Sequence, residues 1–166
     1  MGRYRPPAAP KSPYITEPGY ERLREEEHAL WIRRRDVTKA LSAAAAEGDR
    51  SENAEYIYRK KELREIDRRI RYLQKRLPQL NVVNQPPSNT KQVFFAAWVR
   101  LEREDGSELE YRIVGPDEID QQPSYISLDS PLAKALLKKG LDDQISVETP
   151  AGINHYWITE IRYEGI

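Results

Sequence analysis

Two stretches of this chain repeat apolar side chains at alternating steps of three and four residues, and a short charged bend separates them. In the second stretch Leu63, Ile66, Ile70, Leu73, Leu77 and Leu80 keep the spacing, and Tyr56 extends it backwards. In the first, positions 20, 23, 27, 30, 34, 37, 41 and 44 read Tyr, Leu, Glu, Leu, Arg, Val, Leu and Ala, a thinner seam interrupted by charge. Residues three and four apart share one face of an α-helix, so each stretch is predicted to be a helix with a narrow apolar strip. A strip this narrow suits a coiled-coil partner better than a broad core. The two helices are therefore expected to form an antiparallel hairpin, each covering the other's strip. At 1.5 Å per residue, helices of nearly thirty residues make an arm roughly 40 Å long, and with no third helix to pack on, the arm is expected to protrude. Pro78 should end the second helix around Leu77, leaving Leu80 to pack as a cap on the next domain.

The flanking segments read differently. MGRYRPPAAPKSPY is proline-rich with little to bury, so residues 1–15 are expected to be a disordered tail. Thr16 is the expected N-cap of the first helix, and 16–80 the hairpin domain. NQPPSNTK has linker composition, which places a linker over 81–91. From 92 to 166, VFFAAWVRLE and LEYRIVG read as a β-hairpin around Asp105-Gly106, and YISLD as a further strand. DSPLAKALLKKG reads as a short helix with Ser130 as N-cap, Pro131 in its first turn and Gly140 as terminator. ISVETPAG and HYWITEIRYE complete the sheet. The order β-β-β-α-β-β describes a small α+β module with a helix on one face, with Phe94, Phe95, Trp98 and Trp157 expected in its core.

Composition narrows the function. Of 166 residues, 39% are hydrophobic and 33% charged, which favours a bipartite molecule over one large core. There is no cysteine, so disulfides and thiolate metal sites are excluded. His28 and His155 are far apart, which argues against a zinc enzyme, and neither is given a role. No stretch is apolar enough to span a bilayer and the N-terminus lacks a secretory core, so a cytoplasmic protein with no membrane partner is expected. The chain carries 27 basic and 27 acidic residues, but unevenly: residues 1–16 total +3, 17–47 total −1, 48–80 total +4 and 81–166 total −6. A basic arm attached to an acidic body implies that the arm faces a polyanion.

At the bend, Asp49 and Glu52 have two explanations. They can start the second helix, Gly48 stopping the first and Asp-x-x-Glu standing in for a capping box, with Ser51 as an alternative N-cap. They can also hold a cation, because carboxylates near a helix start stay ionised. Mg2+ takes hard oxygen ligands, keeps several waters and needs only one or two protein carboxylates. Two acids alone bind it weakly, so a strong site requires a partner, and the chemistry implied is metal-assisted phosphodiester hydrolysis in a composite site. Opposite the second seam, Lys61, Arg64, Arg68, Arg71 and Lys75 share a surface, flanked by Arg59, Lys60, Arg69 and Arg76. The plain explanation is a solvated face with pairs such as Glu65 with Arg69. The excess of basic over acidic residues on this helix favours contact with a nucleic-acid backbone instead, weakening steeply with salt.

GDRSENAEY at 48–56 and KKELREIDRRIRYL at 60–73 closely resemble the bacterial Gre transcript-cleavage factors, the GreB type in particular. The resemblance continues through VFFAAWV at 93–99, RIVGPDEI at 112–119, YISLDSPLAKALLKK at 125–139 and TPAG at 149–152, covering the chain from about residue 13. It implies a coiled-coil hairpin followed by an FKBP-like α+β domain; separately, a hairpin that supplies its own coiled-coil partner suits a monomer. By that likeness the hairpin enters the secondary channel of backtracked RNA polymerase, Asp49 and Glu52 help hold Mg2+ at the polymerase's own active site, and the nascent RNA 3′ end is cleaved. The protein would then be a cofactor of the polymerase and not an enzyme. Ser51, Asn53 and Tyr56 would be accessories at the tip, Lys61, Arg64, Arg68, Arg71 and Lys75 the RNA-facing patch, and Asp129, Ser130 and Pro131 the grip on the channel's outer rim. The proline-rich residues before 13 and Pro78 depart from the family pattern. Two other functions stay open: a channel-binding regulator that does not promote cleavage, and a peptidyl-prolyl isomerase suggested by the implied fold alone.

Overall fold

The computed structural model describes residues 4, 10–47 and 53–166. It has two compact units, Pro18–Leu80 and a second made of Asn81–Ile166 with the N-terminal segment up to Glu17. Among the described residues, no helix is long and apolar enough to cross a membrane.

The first unit is a pair of helices, α1 (Glu17–Ala45) and α2 (Ala54–Arg76). The three-four seams become their contact faces. Leu23, Val37 and Ala44 of α1 and Ile66, Ile70 and Leu73 of α2 are buried, Val37 and Leu73 completely. Val37 packs with Ile66 and Ile70, and Leu30 and Leu63 close over them. Ion pairs line the seam where the apolar strip is too narrow to exclude water: Glu26 with Arg69 at 2.9 Å, Arg33 with Glu62 at 2.6 Å and Arg34 with Asp67 at 2.7 Å. Position 26 faces 69 while position 33 faces 62, which makes the helices antiparallel. Arg69 thus reaches across to Glu26, a partner that the expected pairing with Glu65 overlooked. Helix α2 ends at Arg76, and Pro78 sits in a single 3-10 turn, Leu77–Gln79, because its ring admits no further α-helical hydrogen bond.

The second unit starts earlier in the chain than expected. Residues Tyr14–Thr16 form strand β1, which pairs in parallel with β2 (Asn81–Val83), so the tail predicted over 1–15 is corrected at Tyr14 and Ile15 and the linker predicted over 81–91 is corrected at Asn81–Val83. Strands β3 (Trp98–Arg103), β4 (Glu108–Val114), β5 (Tyr125–Ser127), β6 (Gln144–Thr149) and β7 (Gly152–Arg162) form one sheet in the order β5-β4-β3-β7-β6. All its pairings are antiparallel except β4 with β5. The helix α3 (Pro131–Leu136) lies on the core through Ala133 and Leu136, against Val99, Leu101, Ile113, Ile145 and Ile158.

Several local expectations give way to packing. Val93–Ala97 are not strand: Ala96 takes φ 72, and the chain here is small and wholly buried at Val93, Ala96 and Ala97, leaving Phe94 and Phe95 half-buried. Alternation along β3 sends Val99 and Leu101 to the core and Trp98 to the other face, where the guanidinium groups of Arg112 and Arg162 lie 5.6 and 5.1 Å from its ring. Trp157 is likewise only half-buried. Helix α3 is terminated by Lys138 at φ 66 and not by Gly140, whose N–H is taken by Asp143 at 2.7 Å.

Strand β1 is held by a buried carboxylate. Glu118 is fully buried and accepts from the Thr16 N–H at 3.1 Å, the Gly115 N–H at 2.9 Å and the Thr16 hydroxyl. The Thr16 hydroxyl donates to Glu118, and its oxygen keeps lone pairs that can accept at the start of α1, so this contact is compatible with the expected cap. Burial pushes the Glu118 carboxyl above the ordinary glutamate range; its hydrogen bonds to Thr16 and Gly115 and the charge of Arg112 oppose that rise without cancelling it. Gly115 is where the strand passes, since a Cβ there would lie 2.0 Å from the Tyr14 carbonyl oxygen.

Glu118→Ala is expected to lower stability by roughly 2–5 kcal/mol in urea titrations, because it strands two buried N–H groups, while Glu118→Gln keeps acceptors for them and loses less. The raised pKa means the native state binds this proton more tightly than the unfolded chain. The associated stability is present at pH below the ordinary glutamate range and falls as pH rises through the raised value. That part of the pH profile should vanish in Glu118→Gln.

Candidate functional site

The bend between α1 and α2 is closed by one side chain. Asn53 sits at φ −85, ψ 99, the extended conformation of an N-cap. Its Oδ1 accepts from the Tyr56 N–H at 3.1 Å, and its Nδ2 donates to the Ala44 carbonyl at 2.8 Å. A single amide thus satisfies an orphan donor at the start of α2 and a carbonyl near the end of α1. Helix α1 tightens as it finishes, with the Glu47 N–H bonded to the Ala44 carbonyl at 3.2 Å.

This assigns the cap. Of the residues considered at the helix start, Asn53 fills the role given to Asp49 or Ser51, and the acid in the first turn is Glu55, paired with Arg59 at 2.8 Å. Asp49, Ser51 and Glu52 lie outside the described residues. Ser51, Glu52 and Asn53 are consecutive and two of them are good caps, so spacing alone could not choose between them. Tyr56 is half-buried one turn into α2, with the Lys60 ammonium 5.8 Å from its ring. Among the described residues no group of three His, Cys, Asp or Glu side chains is placed to hold a metal ion.

The basic row on α2 divides from its neighbours by what each cation faces. Arg59 is paired with Glu55 and Glu62, Arg69 with Glu26, and Arg76 is buried. Lys61, Arg64, Arg68, Arg71 and Lys75 are all exposed, and none takes part in an ion pair among the described residues. Arg71 donates only to the carbonyl of Asp67, at 3.4 Å. The seam has paired Glu62 and Asp67 of α2, and this row keeps its positive charge.

The third predicted group is brought together at the start of α3. Ser130 caps that helix, its hydroxyl accepting from the Ala133 N–H at 3.2 Å, and Pro131 is exposed in the first turn. Asp129 holds the N-terminal segment, accepting from the Ser12 N–H at 2.9 Å and from the Ser12 hydroxyl. Sequence reasoning missed the pairing of Ser12 with Asp129 and of Thr16 with Glu118, contacts more than a hundred residues apart that leave no periodic signal.

The N-terminal region matches the family described as Transcription elongation factor, N-terminal, over residues 13–82. Residues 87–163 match Transcription elongation factor, GreA/GreB, C-term. The chain is 57% identical over 164 residues to Transcription elongation factor GreB of Pseudomonas aeruginosa, covering 98% of each chain. It is 53% identical over 168 residues to Transcription elongation factor GreB of Xanthomonas axonopodis pv. citri, covering all of both. The solved GreA factor homolog 1 (Gfh1) of Thermus thermophilus is 27% identical, covering 90% of this chain and 97% of that one at a TM-score of 0.42.

Removing the double contact at the bend should be measurable. Asn53→Ala is expected to cost about 1–2 kcal/mol of stability in thermal or urea unfolding of the full chain followed by helical circular dichroism. Asn53→Asp, which keeps the acceptor for Tyr56 but loses the donor to Ala44, should fall between.

Proposed function

The chain belongs to the GreA/GreB family of transcription elongation factors, and from that premise we propose that it makes RNA polymerase cleave its own backtracked transcript. The helical pair enters the polymerase's secondary channel with the bend foremost. Asp49 and Glu52 contribute carboxylates to a Mg2+ site that polymerase residues complete, and the extruded RNA 3′ end is cut at the polymerase's active site. The factor has no hydrolytic activity of its own.

The observation that carries this reading is the cap. Because Asn53 is the N-cap of α2, that cap does not require Asp49 or Glu52, which supports giving the two acids another role. Their donor set fits the proposed ion: two carboxylates within four residues are hard oxygen ligands, suited to Mg2+ and too few to hold it alone. Bound in the composite site, the ion would position and activate water at the scissile phosphodiester. The chain's own residues do the rest. Asn53 keeps the two helix ends together behind the acids. Lys61, Arg64, Arg68, Arg71 and Lys75 offer exposed charge to the extruded RNA backbone. Asp129, Ser130 and Pro131 meet the rim of the channel, Pro131 being the most exposed of the three.

The test is a purified, backtracked elongation complex with Mg2+, scored for shortened RNA. The wild type should stimulate cleavage, and Asp49→Asn or Glu52→Gln should reduce the rate on the order of 100-fold while binding to polymerase persists. Cleavage indifferent to both substitutions rules out the carboxylate role, and slowed nucleotide addition without cleavage points to a blocking regulator. Replacing Arg64 and Arg68 by Ala should weaken action on RNA and flatten its salt dependence, by a log-log slope of about 0.7 for each phosphate no longer neutralised.

A further inference from the structure

An open groove of about 410 Å3 lies between the two helices, lined by Trp31, Arg34, Asp67, Ile70, Arg71 and Gln74. Trp31 is 39% exposed, an unusual amount of indole to leave in water on a helix otherwise dominated by charge. The guanidinium of Arg34 lies 6.0 Å from the Trp31 ring and is bound to Asp67 at 2.7 Å, so the one acid in the groove is already paired. Arg71 belongs to the unpaired basic row, with Arg68 and Lys75 one turn to either side. An accessible aromatic face beside a track of free cations is the chemistry that binds single-stranded nucleic acid, bases stacking on the ring while cations follow the phosphates.

We infer that Trp31 is a stacking platform for a base of single-stranded RNA whose backbone runs along Arg68, Arg71 and Lys75. The inference rests on the reading of the basic row as RNA-facing. A polyanion is the occupant that the charge favours, since the groove's free charge is positive and an acidic neighbour is already neutralised. Trp31 stands fourteen residues before the last residue of α1, about 21 Å along its axis. Only RNA extruded well past the bend reaches it. Trp31 therefore acts on long extruded segments and is a positioning residue for them.

The probe is an oligouridylate of about ten nucleotides at low salt, titrated while tryptophan fluorescence is followed, with circular dichroism confirming that each variant is folded. The wild type should be quenched. Trp31→Ala should bind about tenfold more weakly, Trp31→Phe should recover most of that affinity, and the quenching should be lost in Trp31→Phe, since the remaining tryptophans, Trp98 and Trp157, belong to the sheet unit. In the backtracked-complex assay Trp31→Ala should shift the released fragments toward short ones. The inference is overturned if the oligonucleotide fails to quench the wild type, if quenching survives in Trp31→Phe, or if Trp31→Ala binds as tightly as the wild type. A wild type that binds the oligonucleotide but stimulates no cleavage overturns the proposed function and leaves this contact standing.

Discussion

The helical pair depends on a strip of apolar surface too narrow for either helix to be stable alone. Val37 on one side and Ile66 and Ile70 on the other cover each other, with Leu30 and Leu63 closing over them, and Leu23, Ala44 and Leu73 are buried along the same seams. In proteins most helical stability comes from packing an amphipathic face of this kind and not from propensity. The strip is widened by ion pairs: Glu26, Glu62 and Asp67 are taken up by Arg69, Arg33 and Arg34 beside the seam.

At the bend, Asn53 holds both helix ends with one amide, its oxygen accepting from the Tyr56 N–H and its nitrogen donating to the Ala44 carbonyl, so the N-cap of α2 is filled by neither Asp49 nor Ser51.

In the sheet unit, the buried carboxylate of Glu118 plays a comparable part. It joins Thr16 and Gly115, residues about a hundred positions apart, and lets β1 cross close over a glycine that admits no side chain. The cost is a desolvated acid whose protonation is linked to folding. Asp129 ties Ser12 into the same unit. Together these contacts turn a proline-rich segment that looks like a tail into part of a folded unit from Ser12 onward.

The helices, their seams, the antiparallel pairing and the chain order of the elements from β3 to β7 were legible because periodicity reports which face of an element is buried, and Leu23, Val37, Ala44, Ile66, Ile70 and Leu73 of the seams are buried. The exposed basic row was legible for the same reason. The alternating strands were readable, but which aromatic faces the core was not, since small residues at Val93, Ala96 and Ala97 displaced Phe94 and Phe95. The end of α3 at Lys138, the choice of Asn53 over its neighbours as cap, the partner of Arg69 and the groove beside Trp31 were decided only in three dimensions. Local spacing determines which residues share a face, because that follows from helix and strand geometry alone. Which partner a polar group takes depends on what folding brings near it, and for Glu118, Thr16 and Ser12 that partner is separated by more than a hundred residues of chain.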